Sequence, residues 1–221
     1  MARDRSASNI GLFGGTFDPI HYGHLRCADE AMEALDLDRV IFVPSAIPPH
    51  KPQGKLLPAE HRLKMVNLAI RGNSRFSVSD FECRRRVPSY SIETVEHFIE
   101  TSNGRADITF ILGSDAFREI TTWKEVERLF TLCNMLVLTR PGKPLRGLEE
   151  VLPVETRKKF CYDKKDDRFT HLSGRSIYFR GMIPLDISSS EIRRRVREGL
   201  SISYLVPPAV EKYMYTHKLY R

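Results

Sequence analysis

Four short runs of apolar residues constrain the fold of this chain more than any other feature. They lie at 10–13, 40–43, 108–112 and 135–138, and stretches with a helical spacing of apolar residues alternate with them. Runs that are apolar at nearly every position are typical of strands buried on both faces of a parallel sheet. We therefore predict an α/β protein, a Rossmann-like doubly wound parallel sheet with helices on both faces.

The length and composition fit one domain with a well-formed core. The chain has 221 residues, of which 41% are hydrophobic and 29% charged, with both signs mixed, unlike a disordered chain. We predict a short disordered lead-in over residues 1–8 and a single domain over 9–221. Within it, residues 143–175 are richer in charge and carry little periodicity except one helical pattern near 148–160. We expect them to form a peripheral excursion.

Several classes of protein are disfavoured by the same sequence. No uncharged apolar stretch approaches the roughly 18 residues that a membrane-spanning helix needs, and the first residues lack the apolar core of a signal peptide. The four cysteines are isolated, and no pair has the spacing of a metal site or a redox motif. We therefore expect a cytoplasmic protein with reduced thiols, no membrane partner and no metal site built from its side chains.

The net charge of +7 favours anionic partners, which include nucleic acid and phosphorylated small molecules. A nucleic-acid-binding module is the non-enzymatic alternative, and it would present basic residues on one face interleaved with exposed aromatics. Here arginines cluster instead at 84–86 and 193–197, and no nucleic-acid motif is present. We therefore expect no nucleic-acid partner, and the sequence gives no indication of the oligomeric state.

The first strand is followed by glycines and then by two histidines at the start of a helix. A strand that turns into a helix start directs backbone N–H groups and the positive end of the helix dipole at one point, which suits a phosphate. A pair of structural imidazoles is the alternative, and a zinc site is a weaker one because no further ligand has a usable spacing. The candidate phosphate-binding residues here are Gly14, Gly15, Thr16, Phe17, His21, Gly23 and His24.

A second helix start with phosphate-binding character lies late in the chain. Ser188, with Glu191 three residues later, has the form of a capping box, and Arg193 follows within about one turn. Hydroxyl groups and helix N–H groups donate hydrogen bonds to phosphate, and a guanidinium bridges two of its oxygens. The alternative is a solvated helix cap. The candidate triphosphate-binding residues here are Ser188, Ser189, Ser190 and Arg193.

The loops that follow the predicted strands share one edge of the sheet, where ligands bind in folds of this kind. Gly113 closes the strand at 108–112, and we place it in the same nucleotide site. The proline-rich loop after the second strand contains His50 and Lys51, and Arg140 follows the strand at 135–138. These three side chains are candidates for a phosphate-binding loop, since long loops in compact domains are often functional.

The pattern Gly-Thr-Phe-Asp-Pro-x-His-x-Gly-His, followed late in the chain by Ile-Ser-Ser-Ser-x-Ile-Arg, resembles the nucleotidyltransferase superfamily. More narrowly, the sequence is similar to the bacterial nicotinate-nucleotide adenylyltransferases from about residue 9 to the stretch at 204–210. That resemblance implies an enzyme of NAD biosynthesis, which joins the AMP moiety of ATP to nicotinate mononucleotide and releases deamido-NAD and pyrophosphate. It also implies Mg²⁺ bound with ATP.

The resemblance further implies roles for individual residues. His21, His24 and Arg193 would be catalytic, by donating hydrogen bonds to phosphoryl oxygens. The mononucleotide would bind at Ser91, Asp115, Trp123 and Lys124. A core position for the tryptophan and a solvated lysine remain open, and serine stands where the family usually has threonine.

Two other substrates remain open within the same superfamily, nicotinamide mononucleotide and phosphopantetheine. A fragment of a class I aminoacyl-tRNA synthetase would share the histidine motif, but its second motif is rich in lysine rather than serine and arginine.

Overall fold

The computed structural model describes residues 7–48, 56–85, 87–139, 145, 147–183 and 185–221. Within these ranges the strands are β1 (Ser8–Gly15), β2 (Arg39–Pro44), β3 (Phe76–Val78), β4 (Ala106–Gly113), β5 (Asn134–Thr139), β6 (Phe160–Asp163), β7 (Arg168–His171) and β8 (Ser176–Gly181). The α-helices are α1 (Tyr22–Leu35), α2 (Ala59–Ala69), α3 (Phe81–Arg84), α4 (Ser91–Thr101), α5 (Ser114–Arg118), α6 (Val126–Leu132), α7 (Val154–Arg157), α8 (Ser189–Arg197) and α9 (Pro208–Thr216). Single turns of 3₁₀-helix occur at Ile120–Thr122 and Leu148–Glu150.

The strands of the described residues form one sheet in the order β3-β2-β1-β4-β5-β8-β7-β6. The first six strands in this order, β3, β2, β1, β4, β5 and β8, are parallel to one another. β7 pairs with β8, and β6 with β7, in antiparallel orientation. The strand order reverses between β1 and β4, which creates a crevice at the carboxyl ends of these strands. The predicted doubly wound α/β fold is confirmed.

Two apolar layers cover the sheet, one on each face. Side chains of α1, α2, α8 and α9 form one layer, and those of α4, α5 and α6 form the other. The strand β1 is the axis of both layers, because Leu12 and Phe13 point to opposite faces and are both buried. At Gly11 a Cβ atom would lie 2.7 Å from Ile111 and 2.8 Å from Leu37, so the close approach of these elements requires glycine.

The charged segment at 143–175 differs from its sequence pattern. The prediction of one helix near 148–160 is wrong. The structure has a 3₁₀ turn, then Pro153, then the short α7, and the strand β6 begins at Phe160. Pro153 cannot continue a helix from the preceding turn because it lacks an N–H group. Strands β6, β7 and β8, which periodicity did not reveal, extend the sheet at its edge.

Candidate active site

The first strand and the first helix are joined by six residues, 16–21, and we call this connection the turn. β1 includes both glycines and ends at Gly15, although the sequence pattern placed these glycines in the turn. His21 is the residue before the first turn of α1. The backbone N–H of His21 donates to Nδ1 of His24 over 3.3 Å, and the two imidazoles stack with centroids 3.7 Å apart. Since Nδ1 of His24 accepts, its Nε2 carries the proton in the neutral ring and acts as a donor.

Phe17 and Gly23 were predicted to contact a phosphate, and the structure gives both of them packing roles in the turn. Phe17 is 2% exposed and packs edge-on against the His24 ring, with centroids 5.1 Å apart, so only its backbone is available to a ligand. A Cβ at Gly23 would lie 3.0 Å from the His21 ring. The space beside Gly23 therefore holds an imidazole rather than a ligand. Gly113 ends β4, and extending the register of β4 with β1 sets it level with Gly15.

The late helix start lies against the same turn. The guanidinium of Arg193 donates to the backbone carbonyl of Asp18 over 2.6 Å, and the hydroxyl of Ser189 donates to the carbonyl of Pro19 over 2.9 Å. Ser188 caps α8 by accepting from the backbone N–H of Glu191 at 3.2 Å. The structure thus brings the two helix starts to one place. Ser190 is exposed beside them.

A buried arginine, which the sequence analysis missed, holds the turn from below. Arg62 on α2 is 1% exposed, and its guanidinium donates to the carbonyls of Thr16 (2.8 Å), Ala46 (3.0 Å) and Leu57 (2.9 Å). Burial lowers the pKa of Arg62, while the nearby Asp18 carboxylate acts in the opposite direction. Its position within a helical apolar pattern was the available signal, because an arginine at a core-facing position needs several acceptors.

Asp18 has a second neighbour that the sequence analysis also missed, the half-buried Tyr220. The hydroxyl of Tyr220 donates to Oδ1 of Asp18 over 2.6 Å, and Asp18 itself is 2% exposed. The Arg193 guanidinium lies 3.9 Å from the other oxygen, Oδ2. Burial and the adjacent Asp18 carboxylate strongly raise the pKa of Tyr220, so its hydroxyl stays protonated and acts as the donor.

The residues assigned to the mononucleotide lie near the carboxyl end of β4. Ser91 is the first residue of α4 and lies at the positive end of the helix dipole. Lys124 lies over the ring of Tyr90, with Nζ 4.7 Å from the centroid, and pairs with Glu93 at 2.7 Å. Lys124 is therefore beside the start of α4, although it is half-exposed and already paired.

Asp115 and Trp123 complete this group. Asp115 lies exposed in the first turn of α5, directly after β4. Trp123 is half-buried and packs edge-on against Phe110, with centroids 5.9 Å apart, so the indole contacts the core and keeps part of its surface open. Within the described residues no hydrogen bond or ion pair joins Asp115 to the other candidates. They share the carboxyl edge of the sheet.

A buried carboxyl group supports the start of α4. Glu82 on α3 is 7% exposed and accepts from the hydroxyl of Thr94 over 2.6 Å. Burial raises the pKa of Glu82, against the smaller effects of hydrogen bonds from Thr94 and Ser89. In turn, Ser89 accepts from the backbone N–H of Ala46, which joins α4 to the loop after β2.

The pKa of Glu93 reflects its two cations. Partial burial alone would raise the pKa of this carboxyl group, but Lys124 and Arg85 outweigh it and the pKa is lowered. Arg85 lies 2.7 Å from Glu93, so the ion pairs place two cations around one carboxylate beside Ser91.

The three candidates for a phosphate-binding loop cannot be placed in the site. His50, Lys51 and Arg140 lie outside the described residues. Within the described ranges no group of three histidine, cysteine, aspartate or glutamate side chains has the arrangement of a metal site, and no helix is long and apolar enough to cross a bilayer.

The chain is similar to known proteins over most of its length. The sequence pattern described as cytidylyltransferase-like matches residues 12–195. A protein of Geobacter sp. (strain M21), named "Probable nicotinate-nucleotide adenylyltransferase", is 47% identical over 211 residues, which are 96% of this chain and 97% of that protein. A protein of the same name from Geobacter sulfurreducens is 44% identical over 210 residues, which are 95% of this chain and 97% of that one.

Solved structures agree in fold. The nicotinic acid mononucleotide adenylyltransferase of Plasmodium falciparum complexed with NaAD has a TM-score of 0.70 at 21% identity, with 96% of this chain and 97% of that one covered. The same protein complexed with APC has a TM-score of 0.69 at 20% identity, with the same coverage of 96% and 97%. From the match over residues 12–195 and relatives 44–47% identical over nearly their whole length, the chain belongs to the cytidylyltransferase-like family and, within it, to the nicotinate-nucleotide adenylyltransferases.

Proposed function

We propose that this protein joins the AMP moiety of ATP to nicotinate mononucleotide and releases deamido-NAD and pyrophosphate, a step of NAD biosynthesis. The observation that carries the proposal is the meeting of α1 and α8 at one turn, where Arg193 contacts Asp18 and Ser189 contacts Pro19. Relatives 44–47% identical carry the name of this activity. A cytoplasmic location is supported by the four cysteines, none of which forms a disulfide.

The triphosphate of ATP is assigned to this meeting point. The N-terminal ends of α1 and α8 bring their positive dipole ends to it, and in the neutral ring Nε2 of His24 is a donor. The Arg193 guanidinium uses Nη1 for the Asp18 carbonyl, which leaves further N–H groups on its fork for phosphate oxygens. His21 and Ser190 lie beside these donors.

The mononucleotide is assigned to the neighbouring edge of β4. The exposed Asp115 carboxylate accepts hydrogen bonds from ribose hydroxyls, and the open part of Trp123 offers a flat surface for a pyridine ring. The N-terminus of α4 at Ser91 and the cation of Lys124 favour a nicotinate carboxylate over an uncharged amide.

The reaction is a direct displacement at phosphorus. A phosphate oxygen of the mononucleotide attacks the α-phosphorus of ATP, the new P–O bond forms, and the bond to the bridging oxygen breaks. Pyrophosphate leaves with that electron pair. Because the nucleophile is already an anion, no general base is required, and the residues act by positioning the substrates and by donating hydrogen bonds to oxygens that gain charge.

Mg²⁺ is proposed as the companion of ATP. The Asp18 carboxylate is buried and bonded to Tyr220, so it belongs to the protein's interior rather than to a metal shell. Mg²⁺ commonly binds through substrate phosphates and water, and it neutralises phosphate charge when bound. This arrangement requires no cluster of protein carboxylates.

The test is pyrophosphate release from ATP and Mg²⁺ with a second substrate added in turn: nicotinate mononucleotide, nicotinamide mononucleotide or phosphopantetheine. We expect the highest kcat/KM with nicotinate mononucleotide and formation of deamido-NAD in equal amount to pyrophosphate. Higher kcat/KM with either of the other two would assign the enzyme to that substrate. The absence of turnover with all three would refute the proposed activity.

A further inference from the structure

The contact between Tyr220 and Asp18 lies directly under the turn that we assign to ATP. The tyrosine hydroxyl is 2.6 Å from Oδ1 of a carboxylate that is 2% exposed. Within the described residues this is the one hydrogen bond that the Asp18 side chain receives, since Oδ2 has no donor in hydrogen-bond range. A buried carboxylate with a single donor is sensitive to the loss of that donor.

The nearest cation to this carboxylate is a residue of the proposed mechanism. Nη1 of Arg193 lies 3.9 Å from Oδ2 and 2.6 Å from the backbone carbonyl of the same Asp18. A movement of about 1 Å would therefore turn the distant pair into a direct salt bridge, which forms near 2.8 Å. Such a bridge would withdraw guanidinium N–H groups from phosphate.

We infer that Tyr220 is a positioning residue for the proposed adenylyl transfer: its hydrogen bond satisfies Asp18 and thereby keeps Arg193 available to the phosphates of ATP. We expect the effect to fall on ATP, because the contact joins the connection between β1 and α1, and among the described residues no hydrogen bond links Tyr220 or Asp18 to Ser91 or Trp123. This inference rests on the proposed function and adds a residue more than 200 positions from the motif that it supports.

The test compares Tyr220→Phe with Tyr213→Phe in the steady-state assay with ATP and nicotinate mononucleotide. Tyr213 is a matched control, because it is also half-buried and its hydroxyl bonds to a side chain, His61, over 2.8 Å, away from the turn. For Tyr220→Phe we expect KM for ATP to rise about tenfold, the scale of a lost hydrogen bond to a charged group. KM for the mononucleotide should stay within about twofold, as should both KM values in Tyr213→Phe.

A purely structural role predicts a lower melting temperature without this selective change. An unchanged KM for ATP in Tyr220→Phe, with an active wild type, would overturn the inference and leave the proposed function standing. An inactive wild type would refute the function instead. If the change acts through Arg193, combining Tyr220→Phe with Arg193→Gln should add less than about twofold to the KM for ATP of Arg193→Gln alone, whereas additive effects would contradict that route.

Asp18→Asn serves as an independent variant should Tyr220→Phe fold poorly. The amide oxygen still accepts from Tyr220, but the charge that attracts Arg193 is gone. The inference predicts that KM for ATP stays within about threefold of wild type and becomes insensitive to Tyr220→Phe. A tenfold increase in Asp18→Asn alone would show that the charge of Asp18 is needed for ATP binding, and would overturn the inference.

Discussion

The two halves of the candidate site are held in different ways. On the side that we propose for ATP, the turn at 16–21 is held by buried groups, with Asp18, His21 and Arg62 at 2%, 5% and 1% exposure. On the side that we propose for the mononucleotide, Asp115 is exposed, and Lys124, with a side chain 42% exposed, is held by an ion pair to Glu93. Surface ion pairs contribute little to stability, whereas buried donors that serve several acceptors are costly to remove.

This difference implies two kinds of sensitivity to mutation. Changes in the interior should damage ATP binding and stability together, because the same hydrogen bonds serve both. Changes on the mononucleotide side should alter one substrate's affinity and leave the fold intact. The following substitutions test that division.

The largest effect is expected for His24→Ala. Loss of one well-placed donor to a developing phosphoryl charge typically slows the chemical step by roughly a hundredfold or more, and we expect that fall in kcat with a folded protein. The measurement is kcat for pyrophosphate release, with circular dichroism to verify the fold. His97→Ala is the control, since His97 also stacks on an aromatic ring, that of Phe81 at 3.8 Å, outside the site, and should keep kcat. Near-normal turnover of His24→Ala would remove this imidazole from the mechanism.

Arg62→Met should produce the largest loss of stability. The substitution leaves the carbonyls of Thr16, Ala46 and Leu57 without their donor, and we expect the free energy of unfolding to fall by at least about 3 kcal/mol. Denaturant unfolding measures it. Arg26→Met provides the comparison, because Arg26 pairs with partly exposed carboxylates on α1 and should change stability by about 1 kcal/mol or less. Equal effects in the two variants would contradict the division.

Asp115→Asn should act on one substrate alone. The loss of a charged acceptor for ribose hydroxyls should raise KM for nicotinate mononucleotide about tenfold and leave KM for ATP and the melting temperature unchanged. Glu119→Gln is the control, because it neutralises a carboxylate that is also exposed and lies four residues later. It should change neither KM. If Asp115→Asn raised KM for ATP instead, this carboxylate would belong to the other half of the site.

The smallest effect is expected from the buried carboxyl group beneath the mononucleotide side. Because the pKa of Glu82 is raised by burial, the folded state favours its protonated form. Its stabilising contribution is therefore complete below the ordinary glutamate pKa of about 4.3 and is lost as the pH rises through the higher folded value. Relative to Glu82→Gln, the wild type should lose unfolding free energy across that range. If the unfolding free energies of the two proteins changed in parallel with pH, the prediction that Glu82 has a raised pKa would be wrong.

The sequence predicted the central sheet because its parallel strands are buried on both faces and read as continuous apolar runs. The hairpin of β6 and β7 was not predicted, because apolar and polar residues alternate only weakly in these edge strands. Each strand has four residues, and Phe160 and Phe169 alone do not establish a strand period. For the site, a local motif located His21 and His24. Arg62 and Tyr220 could not be assigned, because their acceptors on the turn lie 46 and 202 residues away and only the folded chain brings them together.

The turn between β1 and α1 has a consequence for how the protein matures. Ser189, Arg193 and Tyr220 contact it from 170, 175 and 202 residues further along the chain. During synthesis, β1 and α1 leave the ribosome long before these partners exist, so a nascent chain has its histidine pair before it has the groups of α8 that we propose for ATP binding. The proposed ATP site is therefore complete only after Tyr220 has been synthesised.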